Sequence, residues 1–115
     1  MEDDVLMEAQ TPKEFFEKVL PSRFNPSKAQ GVDATVQVNI TGPNGGAWII
    51  TIKDRTLEAK EGTHPSPTMA ITMSEKDYMD VVNGKMGAEK AFFTGKIQFN
   101  GNIALALKLK ETGIL

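Results

Sequence analysis

The chain changes hydropathy period at Ala34, and that switch constrains its fold more than any other feature. Before it, Phe15, Phe16, Val19 and Leu20 recur at helical spacing. From it, Ala34, Val36, Val38 and Ile40 alternate with Thr35, Gln37, Asn39 and Thr41. Period-two alternation sends the two sets to opposite faces of a pleated strand, so this segment predicts a half-buried strand. The same period returns in Trp48, Ile50 and Ile52, and again in Met69, Ile71 and Met73. Residues 56–60 predict a weaker strand with Leu57 and Ala59 inward, and Ile97 with Phe99 supplies a fifth. Gly42-Pro43-Asn44-Gly45-Gly46 and Asp54-Arg55 are turns on composition, and residues 62–67 form a loop.

Helical signals bracket the strands. Thr11 can cap, Pro12 suits the first helical position and Glu14 sits where a capping box needs it, with Pro21 expected to stop the helix. Asn25-Pro26 repeats the device for a short turn that Gly31 can close. Ser74, with Asp77 in a variant capping box, opens a helix whose stripe is Tyr78, Met79 and Val82; Gly84 ends it. Residues 87–93 carry Phe92 and Phe93 in a short helical segment closed by Gly95. In the last segment Ile103, Leu105, Leu107 and Leu109 fit period two. Ala, Leu and Lys are strong helix formers, however, so a helix opening after Gly101-Asn102 is expected. The order predicts an α+β fold: a five-stranded, largely antiparallel sheet, wet on one face, with all helices packed on the other.

At 115 residues the chain makes one domain, 1–115, with residues 1–10 expected to be flexible. Thirteen basic against 15 acidic residues leave a net charge of -2. That balance lacks the basic stripe a nucleic-acid binder needs, and the strong basic patch that would hold the protein on anionic membranes. The absence of cysteine excludes disulfides, thiol catalysis and thiolate metal sites. The longest apolar runs, residues 47–50 and 103–107, fall far short of the ~20 residues of a membrane span. With the acidic start Met1-Glu2-Asp3-Asp4, this makes the cytoplasm the expected location.

Catalytic constellations are missing. The only histidine, His64, lies between Thr63 and Pro65 and is expected to be a solvated loop imidazole without a nucleophile partner. No glycine-rich phosphate pattern is present, and Asn39-Ile40-Thr41 is a glycosylation sequon inside a strand. The chain is therefore expected to be non-enzymatic, with no catalytic residue, metal ligand or cofactor. Its surplus is apolar: six methionines, six phenylalanines and Trp48. These residues either fill a solid core or line a deformable apolar cavity. After Lys110, Gly113 reads as a helix end, and Ile114-Leu115 as either a lid or a frayed tail.

An ordered series of motifs then resembles a known family. Trp48-Ile49-Ile50-Thr51-Ile52-Lys53-Asp54, the junction Ile71-Thr72-Met73-Ser74, Asn83-Gly84-Lys85 and Ala91-Phe92-Phe93-Thr94-Gly95-Lys96-Ile97 occur in order, followed by Gly101-Asn102 and a Leu/Ala/Lys helix. Together they resemble the sterol carrier protein type 2 (SCP2-like) domain from about Pro12 to Lys110. The resemblance implies an apolar tunnel between sheet and helices that binds and transfers a fatty acid, acyl-CoA, sterol or similar lipid. It implies a sheet wall of Trp48, Ile50, Ile71, Met73, Ile97 and Phe99. The implied helical wall is Phe16, Leu20, Met79, Val82, Met86, Phe92, Phe93, Leu105, Leu107 and Leu109. The expected partners are that lipid ligand and, transiently, a membrane, but no nucleic acid, in a monomer or weak dimer. The alternative is an accessory or dimerisation module of the same fold with a collapsed cavity. The chain departs from the family in two respects. It lacks the peroxisomal ending of many relatives, and residues 103–107 are wholly apolar where some relatives carry a polar side chain.

Overall fold

The computed structural model describes residues 9–112, with side chains for residues 9–108. The N-terminal residues 1–8, the Ile114-Leu115 tail and the side chain of Leu109 lie outside the described residues.

Thr11 caps the first helix as its position demands, its hydroxyl accepting from the Glu14 N–H at 3.2 Å. Glu14 reaches back one residue further than a capping box does, accepting from the Gln10 N–H at 2.6 Å. This helix, α1, covers residues 12–23 as an α turn (Pro12–Glu14), a π turn (Phe15–Val19) and a second α turn (Leu20–Arg23). Pro21 thus does not stop it. Proline lacks an N–H, and its ring collides with the carbonyl four residues back in a regular helix. Here the register widens just ahead of the ring, where the Leu20 N–H bonds to the Phe15 carbonyl, and the helix absorbs the proline. Asn25 then caps a 3-10 turn, Pro26–Ala29, and Gly31 follows at φ 78°.

The sheet contains β1 (Ala34–Thr41), β2 (Gly46–Lys53), β3 (Thr56–Glu61), β4 (Met69–Ser74) and β5 (Gln98–Asn100) in the spatial order β3-β2-β1-β4-β5. β1–β2, β2–β3 and β4–β5 are antiparallel, whereas β1–β4 is parallel, because the chain crosses the sheet between β3 and β4. Asp54 and Arg55 take φ 53° and 63°, the left-handed conformation that a two-residue hairpin matched to strand twist requires.

Register puts Val36 beside Ile50 and Met69, and Val38 beside Trp48 and Ile71, on one buried face. The helices cover that face. Helix α2 (Glu75–Val82) is capped by Ser74, whose hydroxyl accepts from the Asp77 N–H at 3.2 Å. Helix α3 (Ala88–Phe93) packs against α2, and α4 (Ile103–Thr112) lies against the Pro26–Ala29 turn. Gly101 must be glycine, since a Cβ there would stand 3.0 Å from Met69 Cγ at φ 141°. Ala9 is buried, and its N–H and carbonyl both pair with the Asn83 side chain at 2.9 Å.

The opposite sheet face is not simply wet. Gln37 and Ile49 are buried there beneath the loop that crosses from β3 to β4. The Gln37 amide donates to the carbonyls of Trp48 (3.3 Å) and Gly62 (3.1 Å) and to Asn39 Oδ1 (3.2 Å). Its oxygen accepts from the His64 N–H at 2.7 Å. A polar strand residue is thereby sealed by backbone groups of the loop, which alternation alone does not reveal.

Candidate functional site

The apolar side chains between sheet and helices form a fully buried group around Phe16 and a partly exposed group toward β5. In the buried group, Phe16 stacks on Trp48 (centroids 4.8 Å apart) and on Tyr78 (5.6 Å), while Phe15 meets Phe16 and Tyr78 edge-on. Adjacent Phe15 and Phe16 both turn inward from the π turn, and Val81 and Val82 join them from α2. The Arg23 guanidinium lies 5.5 Å from the Phe15 ring centroid, a cation–π contact at the edge of this cluster. Burial pushes the Tyr78 phenol well above its ordinary range, with the Arg23 charge acting weakly in the other direction.

Toward β5 the apolar side chains are more exposed. Phe92 meets Phe99 edge-on at 6.3 Å and Phe93 at 5.7 Å, yet Phe92 is 40% exposed and Phe93 82% exposed. Met79, Met86, Phe99 and Leu105 are half-buried against the core. The period-two pattern of α4 explains its share of this surface. Wrapped at about 100° per residue, alternating apolar residues fall on two opposed stripes. Leu105 turns toward the core, while Ile103 and Leu107 are each about half exposed at 50% and 51%.

The residues expected to wall a tunnel therefore occupy three environments. Phe16, Leu20, Trp48, Ile50, Ile71, Met73, Val82 and Ile97 are buried in one cluster. Met79, Met86, Phe99 and Leu105 pack against it half-buried, and Phe92, Phe93 and Leu107 reach the surface. Sequence reasoning did not name Phe15 or Tyr78 as part of the interlayer, although the Phe15-Phe16 pair and the stripe on α2 carry that signal.

Other chemistry is sparse. His64 Nδ1 accepts from the Ser66 N–H at 3.0 Å within the crossing loop. Among the described residues no group of three or more His, Cys, Asp or Glu could hold a metal ion. An open depression of about 550 Å³ beside the Asp54-Arg55 turn is lined by Gln30, Gly31, Val32, Asp33 and Lys53, and mixes both charge signs. No helix among the described residues is long and apolar enough to cross a membrane.

The model of the SCP-2 sterol transfer family matches residues 14–112 of this chain. Hydroxysteroid dehydrogenase-like protein 2 of Rattus norvegicus is 28% identical over 96 residues, covering 82% of this chain and 18% of that protein. Sterol carrier protein 2 of Bos taurus is 34% identical over 72 residues, covering 61% of this chain and 13% of that protein. The solution structure of palmitated SCP2L2 from Aedes aegypti superposes with a TM-score of 0.66 at 24% identity, covering 89% of this chain and 93% of that one. The last likeness is one of fold. The chain spans less than a fifth of the length of the rat and bovine relatives.

Proposed function

Because the chain belongs to the SCP-2 sterol transfer family, we propose that it holds one lipid at a time in an apolar tunnel between sheet and helices and passes it on without catalysis. The ligand is a fatty acid, a fatty acyl-CoA, a sterol or a similar lipid. The observation that supports this reading is the partly exposed apolar surface toward β5. There Met79, Met86, Phe92, Phe99 and Leu105 keep apolar surface that the core does not use. We assign the lipid chain to the space between Ile71 and Phe99 of the sheet, Ile97, which stands just before β5 rather than in it, and Met79, Met86 and Phe92 of the helices. Leu105 of α4 closes it, and Phe93 and Leu107 form its rim. Phe16, Leu20, Trp48, Ile50, Met73 and Val82 make its blind end.

Burying about 12 methylenes at ~0.8 kcal/mol each gives on the order of 10 kcal/mol gross. Ordering costs reduce this to roughly micromolar affinity, which suits exchange. The palmitated Aedes aegypti relative supports a fatty acyl ligand, and the name of the bovine relative supports a sterol. Exchange in the cytoplasm, by a monomer or weak dimer, is part of the same reading. Titration with fluorescent fatty acid, acyl-CoA and sterol probes tests it. Saturable binding near one ligand per chain is expected, and failure of all three probes to saturate refutes it. A second reading, an accessory module with a collapsed cavity, draws on the ring stack that fills the space around Phe16. In that case no ligand binds and Phe92 and Phe93 serve a protein contact.

A further inference from the structure

The exposed large apolar side chains among the described residues are Phe92, Phe93, Ile103 and Leu107. All four belong to the stretch from α3 through β5 to α4. Phe92 touches Phe99 of the three-residue β5, and Ile103 begins α4 just beyond that strand, so β5 joins the two exposed segments closely. The same stretch reverses the charge of the protein. Residues 85–112 contain five lysines and two glutamates, a net of +3, while the rest of the chain carries eight basic against 13 acidic residues, a net of -5. The whole-chain balance of -2 conceals this segregation.

Neighbouring acids offset it only in part, through Asp77. On α2, Glu75 accepts from the backbone and side-chain amides of Asn44 at 3.1 and 3.0 Å. Asp80 pairs with Lys76 at 3.1 Å, and Asp77 faces Lys96 at 3.8 Å. Lys90 and Lys108 are exposed beside the apolar residues. Exposed phenylalanine and aliphatic side chains interleaved with lysine match the interface of an anionic bilayer. There the rings enter the headgroup boundary and the lysines gain from the surface potential. Neutral protein partners would favour the rings but not the charge reversal.

We propose that the α3–β5–α4 stretch is the surface by which this protein docks on an anionic lipid bilayer. The proposal rests on the carrier reading, to which it adds the face turned to the membrane. It contradicts the expectation, drawn from net charge, that no basic patch serves such a surface.

Flotation of the whole protein with vesicles of phosphatidylcholine, and with vesicles containing phosphatidylserine as well, tests the proposal. Binding to the phosphatidylserine vesicles is expected, with little to phosphatidylcholine alone. It should be largely lost at about 1 M salt, where the screening length is ~3 Å. Lys90→Gln with Lys108→Gln should weaken it about 25-fold, at roughly fivefold for each lysine near an anionic surface. Phe93→Ser, at a position 82% exposed and therefore outside the core, should weaken it by about an order of magnitude. Lys53→Gln with Lys60→Gln, on β2 and β3, should leave it unchanged. Equal binding to both vesicle types, no vesicle binding, or insensitivity to the Lys90 and Lys108 changes overturns the proposal. So does a dimer that Phe93→Ser converts to monomer, since the patch would then serve a second copy. Ligand titration of the lysine variant without vesicles should match the unmodified protein. Loss of probe binding in both would refute the carrier reading rather than the docking surface.

Discussion

Replacing Phe16 by alanine tests whether the interlayer around Trp48 is packed solid. Phe16 is 1% exposed, with the Trp48, Tyr78 and Phe15 rings at 4.8, 5.6 and 5.4 Å. Truncating a ring so enclosed removes its burial and leaves a cavity walled by three other rings, at a cost of about 3–5 kcal/mol. A 115-residue domain is stable by roughly 6–17 kcal/mol, so this is a large fraction of the total. With a urea dependence of about 1.5 kcal/mol per molar, the midpoint should fall by about 2–3 M. Trp48 is the only tryptophan and is itself 3% exposed, so its fluorescence reports both the local stack and global unfolding. The measurement belongs on delipidated protein, because a bound ligand would stabilise the folded state and mask the loss. A loss below about 1.5 kcal/mol, accompanied by weakened lipid binding, would refute solid packing around Phe16. Lipid would then occupy the space around Phe16.

Three further outcomes follow from the same structure. Gln37→Ala removes four hydrogen bonds, two of them to the crossing loop at Gly62 and His64, and should cost about 2–3 kcal/mol, with faster amide exchange at Gly62 and His64; unchanged exchange there would contradict the sealing role. Arg55→Gly relieves a left-handed conformation costing about 1–2 kcal/mol, but the freer unfolded chain offsets about half, so a gain of about 0.5–1 kcal/mol is expected by urea unfolding and any loss refutes it. Because the folded Tyr78 holds its proton above the pH at which the unfolded chain releases it, stability should be unaffected below about pH 10 and fall by ~1.4 kcal/mol per pH unit above it. Tyr78→Phe should remove that part of the slope, and an identical slope in both proteins would rule it out.

Local chemistry was legible wherever one residue type has one mechanical use. Thr11, Asn25 and Ser74 each cap the element they precede, and the alternations in β1, β2 and β4 carry their buried faces correctly. Pro21 misled, because a π turn can absorb a proline that a regular α-helix cannot. Gln37 misled for another reason: its burial comes from a loop more than 20 positions away, and strand periodicity reports only the strand. The parallel β1–β4 pairing was hidden because hairpin turns announce antiparallel neighbours and a crossing loop announces nothing. At the candidate site, pattern and resemblance named apolar residues of which eight are buried in the core cluster. Their division into buried and exposed was not legible, since it depends on whether Phe16 or Phe93 meets other rings or water. The ambiguous period of α4 held real information, as a helix carrying it must expose one of its two apolar stripes.

The most direct test of the carrier reading is native mass spectrometry of the gently purified protein, followed by organic extraction and identification of what is released. The account predicts a population heavier than the 12.6 kDa chain by the mass of one lipid, which extraction removes and added fatty acid, acyl-CoA or sterol restores. A single species at the bare chain mass, unchanged after incubation with all three lipid classes, would contradict it.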